Sequence, residues 1–253
     1  MRLSLILILS LICLASGVDA QKRNAKKRFV PKSAAVHKPL KALGPAVVID
    51  ERLAVLRAAP SLFARPVRRM RRGRALSILD SRESDGVTFY RVAASRRTSG
   101  WMQREALAAR NLRADENRLL GLVQASEGFD QIERMRIYLE NYAASPLRPA
   151  MLLLFGDLLE QAAQKMSTEA ARRLDRREMA ATGAPLHSFF LNYASLDRYQ
   201  RLAIVFRFNP HTRRLHYNGA VWREIAAKYP RTGEAAEAQK RLESLQEKIA
   251  ATK

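Results

Sequence analysis

Residues 74–94 have the sequence RALSILDSRESDGVTFYRVAA and determine how the first half of the chain is interpreted. Apolar residues such as Leu76 and Ile78 alternate with polar ones before Asp85-Gly86, and a second alternating run begins at Val87. Asp-Gly between two such runs is a strong hairpin signal, because both residues tolerate a positive φ. The stretch therefore predicts two antiparallel strands joined by a tight turn.

Shorter strand-like pieces flank this hairpin. One covers residues 53–57, another begins at Val67, and a third contains Gly100-Trp101-Met102; turn residues separate them, and none has helical periodicity. Several short strands in one compact segment are typical of a small, partly open barrel. We therefore expect residues 46–108 to form a small all-β domain.

After Leu107 the periodicity becomes helical and remains so to the end of the chain. Apolar residues recur every three to four positions in residues 129–142, 222–229 and 235–249. The run 151–162 is apolar nearly all round, which is typical of a central, buried helix. Short connections containing proline or glycine favour antiparallel helical hairpins, so residues 112–253 are expected to form an all-α domain.

The strand region resembles a known family. Residues 53–57 (LAVLR) precede Ala59-Pro60-Ser61, Gly73 precedes a strand, and residues 89–92 (FYRV) precede Gly100-Trp101. This order resembles a bacterial SH3 (SH3b) domain. The resemblance implies an SH3-like barrel that binds cell-wall or envelope material. Met102 and the arginine-rich segment 65–74 depart from the family pattern, and they favour an anionic ligand over a neutral peptide stem.

The helical region contains two similar hairpins. Tyr142 and Tyr229 each end a helix, a proline-containing turn follows each of them, and a small residue then opens a Leu-rich helix. This pattern is similar to tetratricopeptide-type repeats, although the spacing of the tyrosines is not a multiple of the 34-residue period. The resemblance implies a groove for a protein or peptide partner. The expected fold is thus multidomain, with a small all-β SH3-like barrel followed by an all-α tetratricopeptide-like helical-hairpin domain.

The N-terminus has the pattern of a secretory signal. Arg2 precedes an apolar run at residues 3–14, and Val18 and Ala20 precede a predicted cleavage site after residue 20. Residues 21–45 then carry many lysines and arginines, several prolines and no acidic residue, which is typical of a disordered basic arm. We therefore expect a periplasmic or extracellular protein with no transmembrane segment after signal removal.

The charge composition points to anionic partners. The 253 residues include 45 Lys and Arg against 24 Asp and Glu, a formal net charge of +21. Such a surplus attracts polyanions. The candidate ligand-binding residues are Arg65, Arg68, Arg69, Arg71, Arg72, Arg74, Tyr90 and Trp101. The candidate residues for a protein or peptide partner of the helical domain are Arg134, Tyr138 and Tyr199.

Sequence signatures of catalysis are missing. The chain has no Gly-rich phosphate loop, no paired histidines at zinc-helix spacing and no nucleophile elbow, and its single cysteine lies in the predicted signal. We therefore expect no catalytic residue, cofactor or metal, and a non-enzymatic envelope-binding or scaffolding protein that contacts an anionic envelope polymer or peptidoglycan; nucleic acid is not the expected partner. One alternative is an accessory protein that binds polyanions only electrostatically. Another is a cell-wall glycosidase whose carboxylate pair lies among Glu127, Asp130, Glu133 and Glu224.

Overall fold

The computed structural model describes residues 44–173, 181–193 and 195–250. The predicted signal 1–20 and the arm 21–45, except for its last two residues, lie outside the described residues. All described residues belong to one unit of the chain.

The first half forms one seven-stranded antiparallel sheet. Its strands are β1 (Gly44–Val48), β2 (Val55–Arg57), β3 (Pro66–Arg69), β4 (Ala75–Ser84), β5 (Val87–Ser95), β6 (Thr98–Gln103) and β7 (Leu107–Ala109), with a 3₁₀ turn at Arg104–Ala106. The order across the sheet is β3-β2-β6-β5-β4-β1-β7. The predicted hairpin is confirmed: β4 pairs with β5, and Asp85 and Gly86 have φ values of 54° and 70°.

The second half is mainly helical. Its elements are α1 (Arg113–Gln124), α2 (Gly128–Asn141), α3 (Arg148–Arg173), α4 (Leu186–Tyr193), α5 (Asp197–Gln200), β8 (Phe206–Asn209), β9 (Arg214–Tyr217), α6 (Ala220–Lys228) and α7 (Gly233–Ala250). The predicted helices at 129–142, 151–162, 222–229 and 235–249 are confirmed. As expected for its apolar sequence, α3 is central and contacts α2, α6, α7 and β9. None of the helices in the described ranges is both long and apolar enough to span a membrane.

The predicted fold class, an SH3-like barrel followed by an all-α domain, is wrong. The chain forms an α/β mixture, because a second, two-stranded sheet of β8 and β9 lies among the helices. Asn209-Pro210 does interrupt the helical pattern, but Phe206 and Phe208 alternate with polar residues, which is a strand pattern. The seven-stranded sheet also has two separate edges, β3 and β7, and no ladder joins them among the described strands.

The sheet and the helices share a hydrophobic core. One cluster of buried side chains includes residues of both halves. The sheet contributes Val47 of β1, Ile49 just after β1 and Ala108 of β7, and the helices contribute Leu119 of α1 and Trp222 of α6. The opposite set of side chains on the sheet, which includes Val48, Leu56 and Val92, forms a second cluster of its own. The strands β1 and β7 therefore connect the two halves of the molecule.

The β8–β9 hairpin is attached to α3 by buried polar side chains. Both carboxylate oxygens of Glu160 on α3 are used: one lies 3.0 Å from Nδ1 of His216, and the other accepts the backbone N–H of Tyr217 at 2.8 Å. About two helical turns further along α3, the hydroxyl of Ser167 accepts the N–H of Leu215 at 2.8 Å. These bonds satisfy groups of β9 that would otherwise be buried without partners.

Candidate functional site

A tryptophan surrounded by arginines lies on the outer side of the sheet. Trp101 of β6 is directly opposite Arg57 of β2 and Arg91 of β5. Directly opposed residues of antiparallel strands point to the same face. The guanidinium of Arg82 lies 5.5 Å from the centroid of the Trp101 ring, within cation–π range. We call Arg57, Arg82, Arg91 and Trp101 the basic face.

Strand alternation separates Trp101 from its aromatic neighbour Tyr90. Tyr90 is buried and packs with Met102 in the second hydrophobic cluster, whereas Trp101 is half-buried and belongs to neither cluster. The structure therefore places Trp101 at the surface and Tyr90 in the core. Of the two predicted aromatic ligand contacts, only Trp101 is accessible.

The predicted arginine cluster is divided between two environments. Arg65, Arg68, Arg69, Arg71 and Arg74 are exposed on β3 and the segments beside it. In the described part of the chain, none of these five lies within 4.0 Å of a carboxylate oxygen. Arg74 donates only to the backbone oxygen of Ala94 at 3.3 Å. Arg68 and Arg69 thus carry uncompensated charge on the edge strand β3, next to β2 of the basic face, while Arg74 lies beside the start of β4.

Arg72 differs from the rest of the cluster. Its side chain is only 6% exposed and forms ion pairs with Glu133 at 2.7 Å and Asp130 at 3.3 Å, both on α2. Arg72 therefore holds the sheet to α2, and these carboxylates leave it no free charge for a ligand.

The predicted partner-binding residues lie mostly inside the molecule. Tyr138 is fully buried, its hydroxyl lies 2.8 Å from Glu116 and from Ser145, and burial raises its pKa to about 12. Arg134 is also buried and donates to the Ser126 hydroxyl at 2.7 Å, and burial lowers its pKa. Tyr199 is buried as well, with edge-to-face contacts to Phe129 and Phe206. The structure does not bring these three residues together on one open face.

Tyr199 does border a large groove. The groove has a volume of about 790 Å³ and lies between the start of α2, the middle of α3 and α5. The guanidinium of Arg198 lies 5.0 Å from the ring centroids of both Phe129 and Tyr199. Its Nε is buried and has no hydrogen-bond partner among the described residues. Arg198 is thus a stacked cation at the wall of a groove, without a carboxylate within 4.0 Å in that same part of the chain.

Three of the four carboxylates of the glycosidase alternative are engaged in ion pairs. Asp130 and Glu133 pair with Arg72, while Glu224 pairs with Lys228 at 3.1 Å and Arg148 at 3.4 Å. Glu127 lines the groove. Among the described residues, no group of three or more His, Cys, Asp or Glu side chains is arranged to hold a metal ion.

Sequence reasoning missed the arginines that surround Trp101 and the stacked Arg198. Alternation along β5 and β6 can place Arg91 and Trp101 on outer faces, but only the register of β2, β5 and β6 makes them neighbours. Of the two rings that Arg198 contacts, Tyr199 is adjacent in sequence but Phe129 is distant, so no local pattern marks the stacked arrangement. No protein family, curated protein or solved structure matches this chain. Nothing in these comparisons identifies an SH3b or a tetratricopeptide-like domain.

Proposed function

We propose that this protein is a non-enzymatic binding protein for anionic material of the cell envelope, which it holds on the basic face and on the adjacent edge strand β3. One observation carries the proposal. Arg72 and Arg118, which lie between the sheet and the helices, have carboxylate partners, whereas the arginines of the basic face and of β3 have none within 4.0 Å among the described residues. Arginines without carboxylate partners around a half-buried aromatic ring suit a ligand that supplies the missing negative charge.

The remainder of the chain supports the proposal by its charge. The predicted arm 21–45 is basic throughout, and two basic segments on one chain strengthen each other through effective concentration. The predicted secretion signal would bring the protein to the compartment where envelope polyanions are found. The sheet provides the fixed binding surface, and the arm adds a second, less specific attachment.

Charge reversal on β3 tests this function. We expect Arg68→Glu/Arg69→Glu to weaken retention on isolated cell envelopes at low salt by at least about tenfold, because each basic side chain near an anionic surface contributes roughly 1 kcal/mol. Retention of the wild type should fall as salt is raised. The matched control is Arg207→Glu/Arg231→Glu, which makes the same change in net charge at exposed arginines of the second half. Equal loss in both double variants would show that only net charge matters, and would contradict the proposed site.

We infer a second binding function for the groove beside α5, that of an acidic peptide partner. Arg198 favours this function, because its guanidinium stacks on two aromatic rings at the wall of the groove and has no carboxylate within 4.0 Å among the described residues. Gln161 and Gln164 of α3 line the same groove and can hydrogen-bond to a peptide backbone. Glu127 and Glu169 also line it, so the peptide carboxylate has to lie on the side of Arg198 and Lys165. Arg198 would pair with a carboxylate of the peptide.

A fluorescent hexaglutamate peptide can test the groove. We expect Arg198→Ala to weaken its binding, measured by fluorescence anisotropy, by about tenfold, in the range of an arginine anchor. The control Arg201→Ala removes a neighbouring arginine that is 74% exposed and only 3.6 Å from Asp197. Equal affinities of both variants, or equal binding of a hexaglutamine peptide, would rule out recognition by Arg198.

A further inference from the structure

The loop between β2 and β3, residues 58–65, holds a phenylalanine almost entirely in solvent. The side chain of Phe63 is 90% exposed, more than any other large hydrophobic side chain of the described residues. Val67, which follows on β3, is also 49% exposed. A large apolar side chain held in solvent beside charged residues is a candidate contact for a partner surface.

Hydrogen bonds hold this loop in one conformation. The Oδ2 atom of Asp85, in the β4–β5 turn, accepts bonds from the Ser61 hydroxyl at 2.7 Å and from the Leu62 N–H at 2.8 Å. The Ser61 hydroxyl in turn accepts the N–H of Phe63 at 3.2 Å. These bonds lower the pKa of Asp85 below its ordinary value, and the bond from the Ser61 hydroxyl has the largest effect. These bonds fix the loop in a conformation that leaves the ring of Phe63 in solvent.

The same loop is joined to the basic face. Arg57 donates from Nη1 to the backbone oxygen of Ala64 at 2.9 Å, and the Ala58 N–H donates to the oxygen of Arg65 at 3.1 Å. Arg57 is itself the residue opposite Trp101. Phe63 therefore lies near Arg57, Trp101 and the arginines of β3, whereas Arg74, which bonds to Ala94 beside the start of β4, lies towards the other end of the sheet. Asp85 is engaged with the loop, and Asp80, which lies opposite Arg91 in the β4–β5 ladder, makes no ion pair within 4.0 Å among the described residues.

We propose that the end of the sheet near Phe63 binds an anionic lipid bilayer, with Phe63 inserted among the lipids and the arginines of the basic face and β3 at the headgroups. The inference rests on the proposed anion-binding function and names lipid as the anion. A hydrophilic polymer would neutralise the arginines but leave Phe63 in water. A bilayer satisfies both groups, because its interface is apolar below and negatively charged above.

Vesicle binding tests the inference. We expect Phe63→Ser to weaken partitioning to vesicles of phosphatidylglycerol and phosphatidylcholine by at least about tenfold, the low end of the value of burying a phenylalanine. Vesicles of phosphatidylcholine alone should bind neither protein. Envelope material stripped of lipid should bind through the arginines alone. It should therefore still retain Phe63→Ser, and this retention should fall as salt is raised.

A dye at position 63 reports insertion directly. The only cysteine of the sequence is Cys13, in the predicted signal, so a chain that begins at Gln21 can be labelled at one introduced cysteine. An environment-sensitive dye on Phe63→Cys should shift to shorter wavelength with anionic vesicles. The same dye on Val205→Cys, which replaces an apolar residue that is 54% exposed elsewhere, should not shift.

Two outcomes would overturn the inference. If Phe63→Ser binds anionic vesicles like the wild type and the dye does not shift, Phe63 does not enter a bilayer. If retention on envelopes nevertheless depends on Arg68 and Arg69, the proposed function stands and its anion is a polymer. If Phe63→Ser no longer binds a protein of the envelope but still binds anionic vesicles like the wild type, the exposed ring contacts a protein partner. The lipid assignment is then wrong.

Discussion

Replacing Gly156 by alanine should lower the free energy of unfolding by about 3 kcal/mol, within the upper range for overpacking a buried site. Gly156 lies on α3, where a Cβ atom would be 2.2 Å from Nε1 and 2.7 Å from Cδ1 of Trp222. The indole cannot move aside easily, because Trp222 is buried and its ring packs edge-on against Tyr217 with centroids 5.6 Å apart. The added methyl group would therefore push α6 away from α3.

Urea denaturation followed by circular dichroism measures this effect. Gly121→Ala is the matched control, because Gly121 is exposed on α1 and a Cβ there would meet nothing within 4 Å. That variant should gain up to about 1 kcal/mol from helix propensity. Trp222→Phe in the Gly156→Ala background should recover part of the loss, since the smaller ring leaves room for the methyl group. Identical midpoints for Gly156→Ala and the wild type would refute the close contact between α3 and α6.

Replacing Asp115 by alanine should have a similarly large effect, a loss of about 3 kcal/mol. Asp115 is fully buried at the start of α1 and accepts the Ala109 N–H of β7 at 2.9 Å. Its other oxygen lies 3.1 Å from Arg118. Removing one partner of a buried ion pair costs roughly 3–5 kcal/mol. We expect a loss at the lower end of this range, because Arg118 is partly exposed and water can replace part of its interaction with the Asp115 carboxylate.

The control for Asp115 is a carboxylate of the same kind in an exposed pair. Glu140→Ala removes the partner of Arg136, an i,i+4 pair whose Glu140 side chain is 54% exposed, and should change stability by no more than about 0.5 kcal/mol. Thermal unfolding of the three proteins would compare them. Equal melting temperatures for Asp115→Ala and Glu140→Ala would mean that the link from β7 to α1 does not stabilise the fold.

Local signals predicted local structure well. Asp85-Gly86 specified the β4–β5 hairpin because the turn itself requires positive φ, and the apolar run at 151–162 identified the central helix α3. The β8–β9 hairpin was missed, because its strands have only four residues each and the Asn209-Pro210 turn between them is not specific to hairpins. Strand β9 also depends on Ser167 and Glu160 of α3 for hydrogen bonds that no local pattern indicates. Strands β1 and β7 are also short: β7 pairs only with β1 among the described strands, about sixty residues earlier, and β1 pairs with both β4 and β7.

The site was predicted by composition but not by geometry. The density of arginine at residues 65–74 indicated a basic surface, yet Arg72 is bound by Asp130 and Glu133, which lie on a different element. Similarly, the stripe of apolar and aromatic residues on α2 gave no means of telling an exposed tyrosine from a buried one. Tyr138 is buried because α1 and the turn before α3 cover it, through Glu116 and Ser145.

The attachment of β9 to α3 also constrains the order in which the protein assembles. The bonds from Leu215 to Ser167 and from Tyr217 to Glu160 span 48 and 57 residues of sequence. Closing such long loops costs chain entropy before any contact compensates for it, and a two-stranded hairpin alone is at best marginally stable in water. We therefore expect the hairpin to form late in folding, on an α3 that is already helical, whereas the β4–β5 hairpin can form early from neighbouring residues.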